Sequence, residues 1–295
     1  MNHPLIVILA AGISSRMKQD VGNSDLIDQR LAQDADQKSK SMIGVGKEYR
    51  PFLDYLLLNI NAAGYKEAVI VINEKDESIR GYYEKLGEGN RFLNLSLSYA
   101  VQSVPAGRTK PLGTADALLQ ALASRPDWSG KRFSVCNSDN LYSVRALRIL
   151  LESTDRGALI DYDRRALEFD QARIERFAVI RTDKDGYLSE IIEKPSPSQI
   201  SSLTSPDGRV GVSMNIFCFS YDLIVPYIQS VPLHPVRQEK ELPLAVLKLV
   251  NEQPRTIRAI PLAEHVPDLT HKGDISKVQE YLRRNYSDIS GKNAL

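Results

Sequence analysis

The run Leu5-Ile6-Val7-Ile8-Leu9, followed at once by Ala10-Ala11-Gly12, constrains this chain more than any other stretch. Consecutive bulky apolar residues fit a parallel strand covered on both faces. The small residues after it leave room for a ligand against the backbone. Ser14 and Ser15 can cap a following helix or bond a phosphate, and Arg16 adds a permanently charged fork to the same loop. A strand ending in a small, cationic loop rich in N–H groups suits a polyphosphate. The same residues also suit an ordinary strand-to-helix turn with a surface arginine.

Strand and helix patterns alternate along the first half. A polar segment, Gln19–Ser41, reads as a surface loop with a short helix around Leu26–Ala35. Phe52, Leu53, Leu56, Leu57 and Ile60 form a helical stripe between Pro51 and Gly64. Strands are expected at Ala68–Ile72, Leu95–Gln102 and Arg132–Cys136, with helices at Asp76–Leu86, from Gly113 with Thr114 as cap, and at Ser143–Glu152. Such alternation means a parallel sheet with helices on both faces and ligands at the carboxyl ends of the strands. The loops after Leu9, Val101 and Cys136 can therefore share one edge.

The second half reads as a mixed-sheet region. Strands are expected at Ala158–Ile160, Phe177–Arg181, Leu188–Ile192, Val210–Phe219 and Thr256–Ile260, with a hairpin turn at Asp183-Lys184-Asp185-Gly186. Helices are expected at Tyr221–Gln229, Leu242–Asn251 and Ile275–Asn285, before a frayed tail at Ser287–Leu295. The expected organisation is one domain over 1–295. It divides into a parallel-sheet half (1–155), a mixed-sheet half carrying the partner substrate (156–272) and a C-terminal helix and tail (273–295).

The 37 acidic and 38 basic residues nearly balance, which argues against a nucleic-acid-binding or membrane-adsorbing surface. No apolar run is long enough to span a bilayer, and residues 1–10 lack a signal-peptide pattern. The two cysteines, Cys136 and Cys218, sit in apolar strands and read as buried free thiols, so a cytoplasmic protein is expected. The four histidines form no metal-ligand spacing.

In order, the motifs are Leu9-Ala10-Ala11-Gly12…Arg16-Met17; Lys40 before Met42-Ile43-Gly44-Val45-Gly46; Tyr99-Ala100-Val101-Gln102; Leu112-Gly113-Thr114-Ala115; Asn137-Ser138-Asp139-Asn140; Glu193-Lys194-Pro195; and Asp268. Together they resemble the sugar-1-phosphate nucleotidyltransferases, or nucleotide-sugar pyrophosphorylases. The resemblance implies an α/β chain with a Rossmann-like three-layer α/β/α nucleotide-diphospho-sugar transferase fold and a mostly parallel mixed sheet. It also implies a reaction: sugar 1-phosphate plus nucleoside triphosphate gives nucleotide sugar plus pyrophosphate, with Mg²⁺.

That chemistry brings two polyanions together, so cations and backbone N–H groups must offset their repulsion. On the resemblance, Leu9, Ala10, Ala11 and Gly12 receive the nucleotide and Arg16 clamps the triphosphate. Lys40 holds the α-phosphate, with Lys38 close by in sequence. Asp139 and Asp268 bind the metal; Asp139 could otherwise cap the helix near Ser143, and Asp268 could be an exposed loop acid. Gln102, Gly113 and Thr114 meet the base, the glutamine amide pairing with a pyrimidine edge. Glu193 accepts from sugar hydroxyls, Lys194 neutralises the sugar phosphate, and Asn215 reads a hydroxyl or caps a bulge.

The opening motif is shared with cytidylyl- and guanylyltransferases acting on non-sugar phosphates. That alternative stays open, as does a non-catalytic nucleotide or sugar-phosphate sensor of the same fold. A nicotinamide dehydrogenase is disfavoured because the first loop lacks a G-x-G-x-x-G arrangement. The sugar, the base and any homo-oligomer are left open.

Overall fold

The computed structural model describes residues 4–13, 17, 28–86 and 90–287. Ten strands form a single sheet. They are β1 (Leu5–Leu9), β2 (Glu67–Asn73), β3 (Arg91–Phe92), β4 (Leu95–Gln102), β5 (Arg132–Asn137), β6 (Gly157–Asp163), β7 (Val179–Thr182), β8 (Leu188–Ile192), β9 (Gly211–Ser220) and β10 (Ile257–Leu262). The long path runs β10-β6-β9-β5-β1-β2-β4-β3, and the β7–β8 hairpin joins it through β9. Strands β4, β2, β1 and β5 are mutually parallel. Strand β9 runs antiparallel between β5 and β6, which makes the sheet mixed.

The helices are α1 (Gln29–Gln37), α2 (Phe52–Ala63), α3 (Ser78–Leu86), α4 (Thr114–Ala123), α5 (Val144–Glu152), α6 (Gln171–Ile174), α7 (Pro197–Leu203), α8 (Tyr221–Ser230), α9 (Leu242–Glu252) and α10 (Asp274–Asn285). Strand β1 shows why three layers form. Successive side chains point to opposite faces. Ile6 and Ile8 therefore join one core with Phe52, Leu56 and Leu147, while Leu5, Val7 and Leu9 join another with Leu118, Ile224 and Val246. Every residue of β1 is buried. Removing a side chain such as Ile8 costs about 2–5 kcal/mol, because the cavity it leaves cannot fully collapse.

Local chemistry sets the ends of the elements. Helix α2 stops at Gly64, whose φ of 106° is open to glycine and poor for other residues. Helix α5 starts on Ser143, whose side chain accepts from the Ala146 N–H. The expected hairpin turn closes with Gly186 N–H donating to the Asp183 carbonyl at 3.0 Å. Both cysteines are buried and free. The short helix expected near Leu26–Ala35 is α1, seen from Gln29 onward, and the tail beyond residue 287 lies outside the described residues. Thr114 is not the cap of α4. Gly113 holds that position, and the Thr114 hydroxyl instead accepts from the Leu242 N–H at 2.9 Å. Among the described residues no helix is long and apolar enough to cross a membrane.

One buried acid sits away from the strand ends. Asp54 is fully enclosed and accepts from the Tyr83 hydroxyl at 2.7 Å and from the Tyr82 hydroxyl at 3.2 Å. Burial raises its pKa from 3.8 to about 6, against the lowering effects of Tyr83, Arg50 and Tyr82. A carboxyl with a raised folded pKa binds more protons folded than unfolded, so its contribution to stability falls as pH climbs from about 4 to 6. The full shift corresponds to about 3 kcal/mol. In urea unfolding, Asp54→Asn should therefore gain about 2–3 kcal/mol on the parent between pH 4 and pH 7. A stability difference that does not change with pH would remove Asp54 from this role.

Candidate active site

The parallel strands β1, β4 and β5 end on one edge, and their last residues and following loops open into a cavity of about 840 Å³. Leu9, Ala10, Ala11 and Gly12 line it from β1, Gln102 from β4, and Asn137 to Asn140 from β5. Gly113 and Thr114 enter from the start of α4. Glu193 and Lys194 follow β8, Asn215 comes from β9, and Asp268 and Lys40 complete the wall. All thirteen sequence-predicted site residues within the described part of the chain thus face one cavity. Arg16, Ser14 and Ser15 lie outside the described residues.

Two of these residues, far apart in sequence, are joined through the backbone. Asn140 and Asp268 form an isolated antiparallel bridge. Leu269 N–H donates to the Asp139 carbonyl at 2.9 Å, and Leu141 N–H donates to the Pro267 carbonyl at 2.8 Å. The bridge holds two acid-bearing turns together. Asp139 is not a helix cap, since Ser143 performs that role, and its Oδ2 accepts from Lys40 Nζ at 3.1 Å. Asp268 is nearly buried; its Oδ2 pairs with Arg173 Nη2 at 3.1 Å, and its Oδ1 accepts from the Thr270 hydroxyl. Burial and the neighbouring Asp139 charge push the Asp268 carboxyl up to about 6, although Arg173 and Thr270 pull the other way. Arg173 also binds Asp274.

The donor set was tested against a divalent cation. Three carboxylates, Asp139, Asp268 and Asp274, meet two cations, Lys40 and Arg173. Burial first, and the neighbouring Asp139 charge second, raise the Asp268 pKa. Among the described residues, no group of three or more His, Cys, Asp or Glu forms a metal cluster. A pair of carboxylates fits Mg²⁺, which keeps several waters and takes phosphate oxygens rather than a full protein cage.

The two lysines of the preceding segment separate clearly. Lys38 pairs with Asp34 at 2.8 Å on α1, whereas Lys40 turns into the cavity. Asp34 also accepts from the Gly44 N–H at 3.3 Å, and Asp36 pairs with Lys272 at 2.8 Å. Helix α1 is thereby latched on both sides of the Lys40 turn.

At the other end, β9 bulges. Leu159 faces Phe217 and Asp161 faces Ser213, so three β9 residues stand against one on β6. Asn215 lies in this bulge at φ 55°, a left-handed conformation that asparagine tolerates. The Tyr142 hydroxyl donates to the Met214 carbonyl at 2.6 Å and ties the bulge to the β5 loop. Lys194 also has positive φ, at 48°. Lys194 and Asn215 thus both hold left-handed backbone within one cavity, a conformation that is costly for a residue bearing a Cβ.

Several lining residues were not read from the sequence. Arg237 approaches Glu193 at 3.6 Å and Glu241 at 2.7 Å. Lys110 pairs with Glu239 at 2.6 Å, and Arg176 borders the same cavity. Only their charge stands out in sequence: Lys110 meets Glu239, and Arg237 meets Glu193, across long stretches of chain.

Residues 29–255 match the family profile described as nucleotidyl transferase. Among curated proteins, the chain is similar to glucose-1-phosphate adenylyltransferases. That of Koribacter versatilis is 22% identical over 195 residues, covering 65% of this chain and 45% of the relative. That of an Anaeromyxobacter species is 26% identical over 196 residues, covering 65% and 46%. That of Paraburkholderia phytofirmans is 26% identical over 207 residues, covering 68% and 47%. The chain spans about half the length of the curated relatives it matches.

Gly113 tests the geometry of this edge. Its φ is 107°, and a Cβ there would stand 2.7 Å from the Lys240 carbonyl, which accepts from the Ala115 N–H at 2.9 Å. Gly113→Ala should cost about 2 kcal/mol or more in urea unfolding and weaken nucleotide binding as well. Unchanged stability would show that this turn is not constrained as described.

Proposed function

The chain belongs to the nucleotidyl transferase family, and from that premise we propose that it transfers a nucleotidyl group from a nucleoside triphosphate to a sugar 1-phosphate, releasing pyrophosphate, with Mg²⁺ as cofactor. One observation carries this reading. A single cavity at the carboxyl edge of the sheet holds the small-residue loop Leu9–Gly12, the Asp139–Asp268 pair, Lys40, and the Glu193-Lys194 pair. Glucose 1-phosphate and ATP form the first substrate pair to test, since the similar proteins are named for that reaction.

In this reading the triphosphate lies on the backbone of Leu9–Gly12, with Arg16 at its leaving end. The attacking sugar phosphate is already anionic, so no strong general base is required. Lys194 and Arg237 neutralise that phosphate, while Glu193 and Asn215 accept from or position the sugar hydroxyls. Lys40 Nζ, 3.1 Å from Asp139 Oδ2, would neutralise charge on the α-phosphate beside that carboxylate. Asp139 and Asp268 would hold Mg²⁺, which supplies charge neutralisation and in-line alignment of the phosphates when bound. The chain's own contribution is placement: two anions are held side by side by fixed cations and N–H groups, where water would let them separate.

The experiment is pyrophosphate release from triphosphate and sugar 1-phosphate pairs. Asp139→Asn should lower turnover about a hundredfold or more with the fold intact, as judged by unchanged circular dichroism. Near-normal turnover would remove Asp139 from the metal site. Lys194→Ala should raise KM for the sugar phosphate about tenfold or more with a smaller effect on kcat. An unchanged KM would exclude Lys194 from that subsite. Binding of triphosphate without any pyrophosphate release would favour a sensor.

A further inference from the structure

Asp268 and Thr270 line the cavity, whereas Arg173 and Asp274 stand outside its lining and hold Asp268 from behind. Arg173 Nη2 pairs with Asp268 Oδ2 at 3.1 Å, and Nη1 donates to Asp274 Oδ1. Asp274 is buried, and its other oxygen accepts from the Thr270 N–H at 2.9 Å and the His271 N–H at 2.7 Å. These contacts close a ring through the Asp268 side chain, the Arg173 fork, the Asp274 carboxylate and the backbone just after Asp268. The root of the fork is fixed as well. The Arg173 N–H donates to Asp170 Oδ1 at 2.9 Å, and the guanidinium carbon lies 4.5 Å from the centre of the Phe169 ring. The Thr270 hydroxyl donates to Asp268 Oδ1. A carboxylate offers about four lone-pair positions, so each oxygen of Asp268 can still accept once more.

We propose that Arg173 is a positioning residue: clamped between Asp268 and Asp274, it holds the Asp268 carboxylate in the orientation in which it can share a divalent cation with Asp139. This rests on the nucleotidyl-transfer reading and its pair of acids, and adds the residue that sets one of them. The two acids cannot order themselves, because an Asp268 side chain free to rotate would turn away from the Asp139 charge. The ring prevents that turn in the folded chain, so the side chain need not be ordered when a cation binds. A single ammonium could neutralise Asp268 but could not span both carboxylates; the planar guanidinium fork does. Loss of a group that orients a metal ligand typically weakens metal binding about 10–100-fold. Charge alone predicts the reverse, since deleting a cation beside the acids would tighten the binding of another cation. Replacing Arg173 by lysine keeps the charge and removes the fork, which separates the two effects.

The test is titration of Mn²⁺, a paramagnetic stand-in for Mg²⁺, into the full chain and its variants, with free Mn²⁺ followed by electron paramagnetic resonance. Asp139→Asn and Asp268→Asn mark the site, and each should weaken Mn²⁺ binding about tenfold or more. Arg173→Lys should raise the Mn²⁺ dissociation constant about tenfold with circular dichroism unchanged. Asp274→Asn removes the rear anchor of the fork and should shift the constant in the same direction. A merely structural ion pair would lower the urea midpoint and leave the Mn²⁺ constant of the folded chain in place. A constant for Arg173→Lys equal to the parent's, or lower, overturns the proposal and leaves the Asp139–Asp268 pair and nucleotidyl transfer standing. Asp274→Asn decides in the same way if Arg173→Lys does not fold. A parent chain that binds no Mn²⁺, or binds it equally well after Asp139→Asn and Asp268→Asn, overturns the metal pair and the proposal together.

Discussion

Two acid-bearing turns, distant in sequence, are pinned together by the two backbone hydrogen bonds of an isolated antiparallel bridge between Asn140 and Asp268. That pinning brings the Asp139 and Asp268 carboxylates close enough to raise the proton affinity of the buried one. Left alone, two such charges would push the turns apart. Lys40 and Arg173 offset part of the repulsion, and Arg173 is itself held by Asp274 at the start of the last helix.

Different parts of the sheet build the two ends of the cavity. Parallel strands β1, β4 and β5 supply one end through their carboxyl termini. The antiparallel β9 supplies the other end by bulging at Asn215. The segment before α9 joins the two. Lys240 N–H donates to Leu112 O, and Lys240 O accepts from Ala115 N–H beside Gly113. Arg237, three residues earlier, stands beside Glu193. Glu239 pairs with Lys110 between them. The same segment therefore touches both the Gly113 turn and the Glu193 side of the cavity.

Much of this was legible in the sequence where the cause is local. The apolar run of β1 and its small-residue loop declared a buried strand and a ligand edge. Gly64 and Ser143 marked helix ends because φ and capping depend on one or two neighbours. What could not be read depends on contacts across the chain. Lys38 and Lys40 look alike in sequence, and only Asp34 separates them. Thr114 looks like a cap, but Leu242 takes its hydroxyl. Gln102 looks like a two-sided reader of bases, but Asp116 and Gly113 occupy its N–H groups. Arg173 lies in a four-residue helix too short to carry a periodic signal, and its importance comes from Asp268, far along the chain.

The most direct test follows the α-phosphorus. The chain is incubated with Mg²⁺, a sugar 1-phosphate and a nucleoside triphosphate labelled at the α-phosphorus. The label should move into a nucleotide sugar, with one pyrophosphate released for each molecule formed. Label found in a nucleoside diphosphate with free phosphate, or retained in bound triphosphate, would contradict the idea that this sheet edge brings two phosphates together for transfer.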